Sequence, residues 1–331
     1  MKGEAGKIGI TTTVPVEIIL AAGCVPADLN NLFINSVRRD GFIRAAERDG
    51  YPRNVCGWIK GMYGLLVSGE TDIDTVVAVT EGDCSNTHAL METLELAGIR
   101  TIPFAYPYSR GREPLAREMS SLADALGADL DAAEKVRGEL EPVRRNLDRL
   151  DEMTWRDNLV GGDENHLWLV SSSDFNGDYH RFGEELERFL DDASRREPFE
   201  GAVRLAYIGV PPILDDLYEV IGEFGARVVL NEVQRQFSMP ERSGGLIDQY
   251  LAYTYPYSIF HRLDFIGREI ERRGVHGVVH YVQSFCHRHI EDLVVRKRLD
   301  VPVLTIEGES PGAVDARTKI RLQAFIEMLA G

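Results

Sequence analysis

The residues of this chain that are best suited to chemistry are its four cysteines, Cys24, Cys56, Cys84 and Cys286. Thiolates bind soft metals and also act as nucleophiles. Four cysteines in 331 residues are too few for the disulfide framework of a secreted protein. We therefore expect a cytoplasmic protein whose cysteines are inert core residues, a reactive site or metal ligands. The chain has no CxxC pair, so zinc ribbons and ferredoxin-type clusters are not indicated.

The composition excludes several classes of function. Hydrophobic residues make up 44% of the chain and charged residues 27%, which are values typical of globular proteins. The net charge of −16 repels phosphate backbones, so we expect no nucleic-acid partner. The sequence has no uninterrupted apolar run of about 18–20 residues, so we expect no membrane-spanning segment.

Short β-branched runs alternate with longer amphipathic stretches, a pattern typical of parallel sheets covered by helices. The predicted strands are 75–79, 99–105, 166–171, 203–210, 227–231, 278–283 and 301–306. The predicted helical segments are 85–96, 113–157, 179–192, 213–224, 261–273, 287–298 and 316–329.

These elements predict an α/β fold of two doubly wound domains, of the Rossmann or flavodoxin type, each with a parallel sheet. Residues 1–160 form the predicted N-terminal domain, which carries Cys24, Cys56 and Cys84. Residues 161–331 form the predicted C-terminal domain, which carries Cys286. The charged helical stretch near the middle of the chain is interpreted as a bridge between them.

In open α/β sheets, ligands bind beyond the carboxyl ends of the strands. Cys286 and Cys84 each follow a predicted strand and precede a predicted helix, which is the position such a ligand needs. Free cysteine is also among the most buried residue types and is often inert. Position alone therefore leaves both interpretations open for each of them.

Cys24 and Cys56 lie beside glycine, in Gly23-Cys24 and Cys56-Gly57, and close to a proline. Glycine permits a close approach of the backbone to a bulky ligand. We interpret both segments as irregular turns, in which a cysteine is more available than inside a strand.

Several segments of this chain form recognisable motifs, which are Thr12–Pro26, Asp28–Phe33, Tyr51–Cys56, Glu81–Cys84, and Glu307–Glu309 with the following Arg317–Arg321. These segments resemble the 2-hydroxyacyl-CoA dehydratase family, which includes the 2-hydroxyglutaryl-CoA dehydratase D-component, the benzoyl-CoA reductase subunits and the double-cubane-cluster reductases. The most specific is the Val-Pro-Val-Glu opening, and together the segments span nearly the whole chain.

The resemblance implies that three cysteines hold a [4Fe–4S] cluster, or one half of a double-cubane [8Fe–9S] cluster shared across a dimer. Two near cysteines and one far one match the family pattern, which implies Cys24, Cys56 and Cys286 as ligands and a cluster between the two domains. Cys84 is a doubtful further ligand. Three thiolates leave one iron open to substrate, whereas four close the site, as they do in structural zinc sites.

The implied function is that of an iron–sulfur subunit of an ATP-driven, low-potential system that reduces its substrate by one electron at an open iron. Such a subunit is a lyase (dehydratase) or oxidoreductase component that works by anaerobic radical chemistry. The chain has no G-x-x-x-x-G-K-[ST] loop, so ATP hydrolysis must come from a separate iron–sulfur activator protein. The expected substrate is an acyl-CoA or another small molecule, and the expected assembly is a homodimer or a pair with a paralogous subunit.

Two alternatives stay open. A homodimeric double-cubane reductase of small molecules would use three cysteines from each of two chains. A non-catalytic electron relay or cluster carrier would close its cluster with a fourth ligand, and Cys84 is the candidate for that position.

Further residues are candidates for roles near such a site. Glu17 lies amid apolar neighbours in the resembling segment, where a buried carboxylate needs a partner, and it is the candidate catalytic residue. Asp83 adjoins Cys84. The segment 171–174 either binds an anionic group or caps a helix. Three tyrosines either line a pocket between the domains or, as we favour, pack in the core: Tyr253, Tyr255 and Tyr257.

Overall fold

The computed structural model describes residues 5–199 and 203–331. These residues form two compact units, each discontinuous in sequence. Unit 1 contains the described residues of Met1–Arg144, Ser171–Gly183 and Met239–Ser258, and unit 2 those of Arg145–Val170, Glu184–Ser238 and Ile259–Gly331. The chain therefore passes between the units several times. The division into domains of residues 1–160 and 161–331 stays a prediction.

Unit 1 is built from four strands and the helices that connect them. The strands are β1 (Lys7–Ile10), β2 (Val25–Asp28), β3 (Thr75–Glu81) and β4 (Arg100–Ala105). The helices that begin in this unit are α1 (Val16–Ala21), α2 (Leu29–Ile34), α3 (Arg39–Arg48), α4 (Gly57–Val67), α5 (Thr87–Leu96), α6 (Arg112–Leu126), α7 (Leu130–Trp155), α9 (Tyr179–Ala193) and α12 (Leu246–Ala252).

The strands of unit 1 are all parallel and lie in the order β2-β1-β3-β4. Side chains of the two central strands, among them Ile10, Val77 and Val79, are fully buried, as expected for a parallel sheet covered on both faces. Pro26 lies in β2, an edge strand, where the missing N–H costs no ladder hydrogen bond. Helix α7 begins in unit 1, and its residues up to Arg144 belong to that unit.

Unit 2 has the same kind of architecture. Its strands are β5 (Val203–Gly209), β6 (Ala226–Asn231), β7 (Gly277–Gln283) and β8 (Val303–Gly308). The helices that begin in this unit are α8 (Gly162–Ser171), α10 (Leu217–Glu223), α11 (Glu232–Phe237), α13 (Ile259–Arg273), α14 (Asp292–Arg298) and α15 (Ala316–Ala330).

The sheet of unit 2 is also entirely parallel, in the order β6-β5-β7-β8. In each unit, therefore, the second strand lies at one edge, the first strand comes next and the third follows. This shared order confirms the predicted α/β class with two doubly wound parallel sheets. The unit 2 core includes Ala206, Ile208, Val229, Ile266 and Val278.

Two expectations about local structure were wrong or incomplete. The apolar run 166–171, predicted as a strand, belongs to helix α8, which has Asp163 and Glu164 in its first turn, where acidic groups complement the helix dipole. A short apolar run fits a buried strand and a buried helix equally well. Strands β1 and β2 were not predicted, because each has only four residues.

Candidate functional site

The two sheets share a reversal of strand order, which identifies the loops where a ligand is expected to bind. In each unit the chain order reverses between the first and third strands, β1 with β3 and β5 with β7. Open α/β sheets bind ligands outside the carboxyl ends of the strands at this switch point. The loops to consider are therefore those that follow β1, β3, β5 and β7.

Cys84 lies in the loop that follows β3, three residues beyond Glu81. Gly82 in this loop has a φ of +97°, and a Cβ placed there would lie 2.8 Å from atoms of Pro256 and Tyr106. Any larger residue would therefore push the loop away from its packing. The backbone N–H of Asn86 donates to the Cys84 Sγ at 3.4 Å, so the loop already presents a hydrogen-bond donor to this sulfur.

Cys56 is the N-cap residue of α4 and is 6% exposed. Helix α4 leads through a short loop into the amino end of β3, and at about 1.5 Å per residue it spans roughly 16 Å. The helix packs against α2, α3 and α5.

Cys24 lies at the other end of the strands. It directly precedes β2, whose first residue, Val25, pairs with Lys7 at the start of β1. The Cys24 N–H donates to the Ile19 carbonyl, and the Gly23 N–H donates to Leu20, with Gly23 at a φ of +72°. This is the Schellman motif that ends a helix. Gly23 therefore serves the end of α1, and Cys24 lies at the amino edge of the sheet.

Cys286 occupies in unit 2 the position that Cys84 occupies in unit 1. It lies three residues beyond Gln283, the last residue of β7, and begins the 3-10 turn His287–Glu291. The preceding Phe285 has a φ of +64°, which is an outlier for a bulky residue and marks a backbone held in a strained conformation. Cys286 and Cys84 thus follow the third strand of their sheets by the same interval.

A buried polar network lies behind the loop that follows β1 in unit 1. The fully buried Glu17 accepts hydrogen bonds from the Arg144 guanidinium, the Gln249 amide and the Tyr250 hydroxyl, each at 2.8 Å. The Tyr250 hydroxyl lies 2.9 Å from the Val14 carbonyl as well. Although burial acts to raise the pKa of Glu17, Arg144 and these hydrogen bonds hold it below its ordinary value.

The partner that the sequence analysis required for a buried Glu17 is therefore Arg144. Both carboxylate oxygens are occupied by neighbours in unit 1, which favours a structural role, and a catalytic role for Glu17 stays an untested prediction. Nothing in the sequence indicated Arg144, because it lies among many other charged residues in a long helix. Nothing indicated Gln249 either, because its hydrogen bond to Glu17 joins residues far apart in the chain.

The three tyrosines pack in the core of unit 1, as the sequence analysis favoured. Tyr253, Tyr255 and Tyr257 are each at most 5% exposed. The Tyr257 hydroxyl donates to the Tyr250 carbonyl, and the Tyr255 hydroxyl donates to Asp83 beside Cys84. These contacts hold the Cys84 loop through its neighbours.

Thiol groups are the donors that iron–sulfur clusters use, and hydrogen bonds to sulfur tune such centres. The donor chemistry at Cys56, Cys84 and Cys286 therefore fits such a cluster. Within the parts of the chain that the structure describes, no group of three or more His, Cys, Asp or Glu side chains is arranged to hold a metal ion.

The fold and these loops define a class: an α/β protein with thiols beyond the carboxyl ends of two parallel sheets. A family model for the 2-hydroxyglutaryl-CoA dehydratase D-component matches residues 11–329, and this chain belongs to that family. Its membership makes it a dehydratase-type component, as the resemblance implied. No curated protein matches the chain. None of the helices in the described residues combines the length and the apolar character needed to cross a membrane.

Proposed function

We propose that this chain is the iron–sulfur component of a 2-hydroxyacyl-CoA dehydratase-like system, in which a low-potential electron activates the substrate. The family match over residues 11–329 carries the proposal. The positions of Cys84 and Cys286, each three residues beyond the third strand of its sheet, support it from the fold.

The fold favours a different ligand set from the one that the resemblance first implied. Cys84 lies beyond the carboxyl end of β3, whereas Cys24 lies at the amino edge of the same sheet. We therefore propose Cys56 and Cys84 as ligands from unit 1 and Cys286 as the ligand from unit 2. The set of Cys24, Cys56 and Cys286 is the competing hypothesis.

Three thiolates leave one iron of a [4Fe–4S] cluster without a protein ligand, and the bound cluster would supply one-electron reduction at that open iron. The chain's own contribution is to hold the ligands. The Asn86 N–H donates to the Cys84 sulfur, and Gly82 lets that loop pack against Pro256. Arg144 and Tyr250 bind the Glu17 carboxylate at the start of α1 and thereby fix the neighbouring loop after β1.

An external source of energy and electrons follows from the same proposal. Since the sequence contains no phosphate-binding P-loop, a separate ATP-hydrolysing iron–sulfur activator is the proposed partner. A second copy of the chain or a paralogous subunit is proposed to complete the enzyme, with an acyl-CoA or another small molecule as substrate.

Iron analysis tests the proposal directly. The protein is purified without oxygen, and iron and acid-labile sulfide are measured per chain for the wild type and for Cys56→Ser. We expect about four irons and four sulfides per chain in the wild type and a large loss in the variant. Absence of iron after anaerobic purification and chemical reconstitution would refute the cluster and with it the proposed electron chemistry.

A further inference from the structure

Unit 1 contains two buried carboxyl groups that the proposed function does not use. Asp28 ends β2 and is 4% exposed, and Asp174 lies in the crossing segment Ser171–Asp178 and is 6% exposed. The Asp28 N–H donates to an Asp174 carboxylate oxygen at 2.7 Å. The Ser173 hydroxyl donates to the Asp28 carboxylate, also at 2.7 Å. These bonds tie the crossing segment to β2.

The remaining oxygens of the two carboxylates are occupied by neutral donors. The Asn30 backbone and side-chain amides donate to Asp28, and the Asn176 N–H donates to Asp174. No ion pair to either carboxylate occurs among residues 5–199 and 203–331. Two negative charges at this depth, without a cation, repel each other strongly in a medium of low dielectric constant.

The surrounding elements carry few ionisable side chains. Helix α2 and the 3-10 turn Phe175–Gly177 carry no ionisable side chain, and β2 carries only Asp28. At the start of α9, the Asp178 carboxylate accepts the backbone N–H groups of His180 and Arg181. On β1, Lys7 pairs with Asp72 at the amino edge of the sheet.

Burial and then the charge of Asp28 raise the pKa of Asp174 to about 7, and burial raises the pKa of Asp28 as well. Because the groups interact, the two carboxyls are best described as a pair that holds one proton near neutral pH. These raised pKa values agree with the geometry, in which two buried carboxyl groups are surrounded by neutral hydrogen-bond donors.

We propose that Asp28 and Asp174 form a proton-controlled latch that holds the crossing segment Ser171–Asp178 against β2. When one carboxyl is protonated, the hydrogen bonds across the pair hold the segment in place. When both are ionised, their mutual repulsion destabilises the closed arrangement and the segment opens more often.

The latch adjoins the switch-point loop of unit 1. The Asn30 side chain, which donates to Asp28, also donates to the Thr11 carbonyl at 2.8 Å. The Thr11 hydroxyl in turn accepts the Val79 N–H of β3 at 3.0 Å. Opening of the latch would therefore loosen a hydrogen-bonded chain that runs along the carboxyl ends of three neighbouring strands. The inference does not depend on the proposed cluster.

Hydrogen exchange at controlled pH tests the latch in the full-length protein. Amide exchange in residues 171–178 is measured by mass spectrometry between pH 6 and pH 8 and divided by the intrinsic rate at each pH. Because the pKa of Asp174 is raised in the folded protein, the closed segment binds a proton that the open segment releases. The opening constant should therefore rise with pH and level off above pH 7, by about tenfold over this range.

Asp28→Asn is the decisive variant. Its amide oxygen can still cap α2 through the Asn30 N–H, and its NH₂ group can donate to the Ser173 hydroxyl, so the fold is preserved. With the charge of Asp28 removed, the rise in opening from pH 6 to pH 8 should be smaller than in the wild type, although the burial of Asp174 still raises its pKa. Asp191→Asn, an exposed aspartate on α9, makes the same charge change and should keep the wild-type response.

Asp174→Asn provides a second test that does not depend on the folding of Asp28→Asn, and it should also reduce the pH response, because it removes the carboxyl whose pKa lies at about 7. A wild-type segment whose corrected exchange is constant from pH 6 to pH 8 would overturn the proposal. So would a pH response that persists unchanged in both Asn variants, because another group would then be responsible.

Discussion

The buried Glu17–Arg144 pair offers a quantitative test of how unit 1 is held together. We predict that Glu17→Gln destabilises the protein by about 3–5 kcal/mol at pH 7, because it leaves the Arg144 cation buried without a counter-charge. Arg144→Met should cost a similar amount, since it leaves the Glu17 carboxylate in the core with only neutral donors.

The magnitude follows from the geometry. The two charged groups approach to 2.8 Å, and their side chains are at most 1% exposed. With an effective dielectric constant of about 20, the Coulomb attraction is about 6 kcal/mol, and the energy lost on removing both groups from water offsets part of it. Loss of one partner alone removes the attraction but leaves the other charge buried. The double variant should therefore lose less than the sum of the single variants, by about 1–3 kcal/mol.

Equilibrium urea unfolding, followed by far-UV circular dichroism, measures these free energies. The matched control is Asp72→Asn, which breaks an ion pair of the same length between exposed side chains, Lys7 and Asp72, and should leave the free energy of unfolding nearly unchanged because solvent screens this pair. Since the folded pKa of Glu17 is lowered, its contribution is present above an unfolded pKa of 4.5 and is lost as the pH falls through the folded value.

The reasoning would be refuted if Glu17→Gln and Arg144→Met each left the free energy of unfolding within about 1 kcal/mol of the wild type. A Glu17→Gln protein that keeps its stability and its iron but loses turnover would instead support the catalytic role that the sequence analysis considered.

Two further predictions concern the loops that carry cysteines. Gly82→Ala should destabilise the protein by about 2 kcal/mol and lower its iron content, because φ is +97° and the new Cβ meets Pro256 and Tyr106. The control is Gly41→Ala in helix α3, where a new Cβ would have no neighbouring atom within 4 Å. This variant should be neutral or stabilising in the same unfolding assay. Phe285→Gly should leave the melting temperature unchanged or raise it, because glycine adopts a φ of +64° without strain and the ring is half exposed. A fall in the melting temperature of more than about 5 °C would contradict this prediction and show that the ring is needed for packing.

Most of the sheet architecture was predictable because its longer strands are apolar runs between turns. The predicted positions agree closely with those of strands β3 and β5–β8 and of the long helices α6 and α7. The discontinuous units were not predictable, since the excursions 171–183 and 239–258 are held in unit 1 by pairings between residues far apart in sequence. The Asp28–Ser173 and Glu17–Gln249 hydrogen bonds are examples.

The candidate site illustrates how one missed strand changes an inference. Because Val25–Asp28 is short and contains Pro26, the sequence analysis interpreted it as an irregular turn, so Cys24 had no assigned edge of the sheet. Once β2 is placed, Cys24 lies at the amino edge. The sequence did contain a signal in favour of Cys84, because it and Cys286 both follow a predicted strand.

The most direct test of the account compares Cys84→Ser with Cys24→Ser. Both proteins are purified without oxygen, and iron and acid-labile sulfide are measured per chain beside the wild type. We predict that Cys84→Ser loses most of its iron and that Cys24→Ser retains about four irons per chain, because Cys84 lies beyond the carboxyl end of β3 whereas Cys24 lies at the amino edge of the sheet. Loss of iron in Cys24→Ser with retention in Cys84→Ser would contradict the assignment of the cluster to the carboxyl side of the unit 1 sheet.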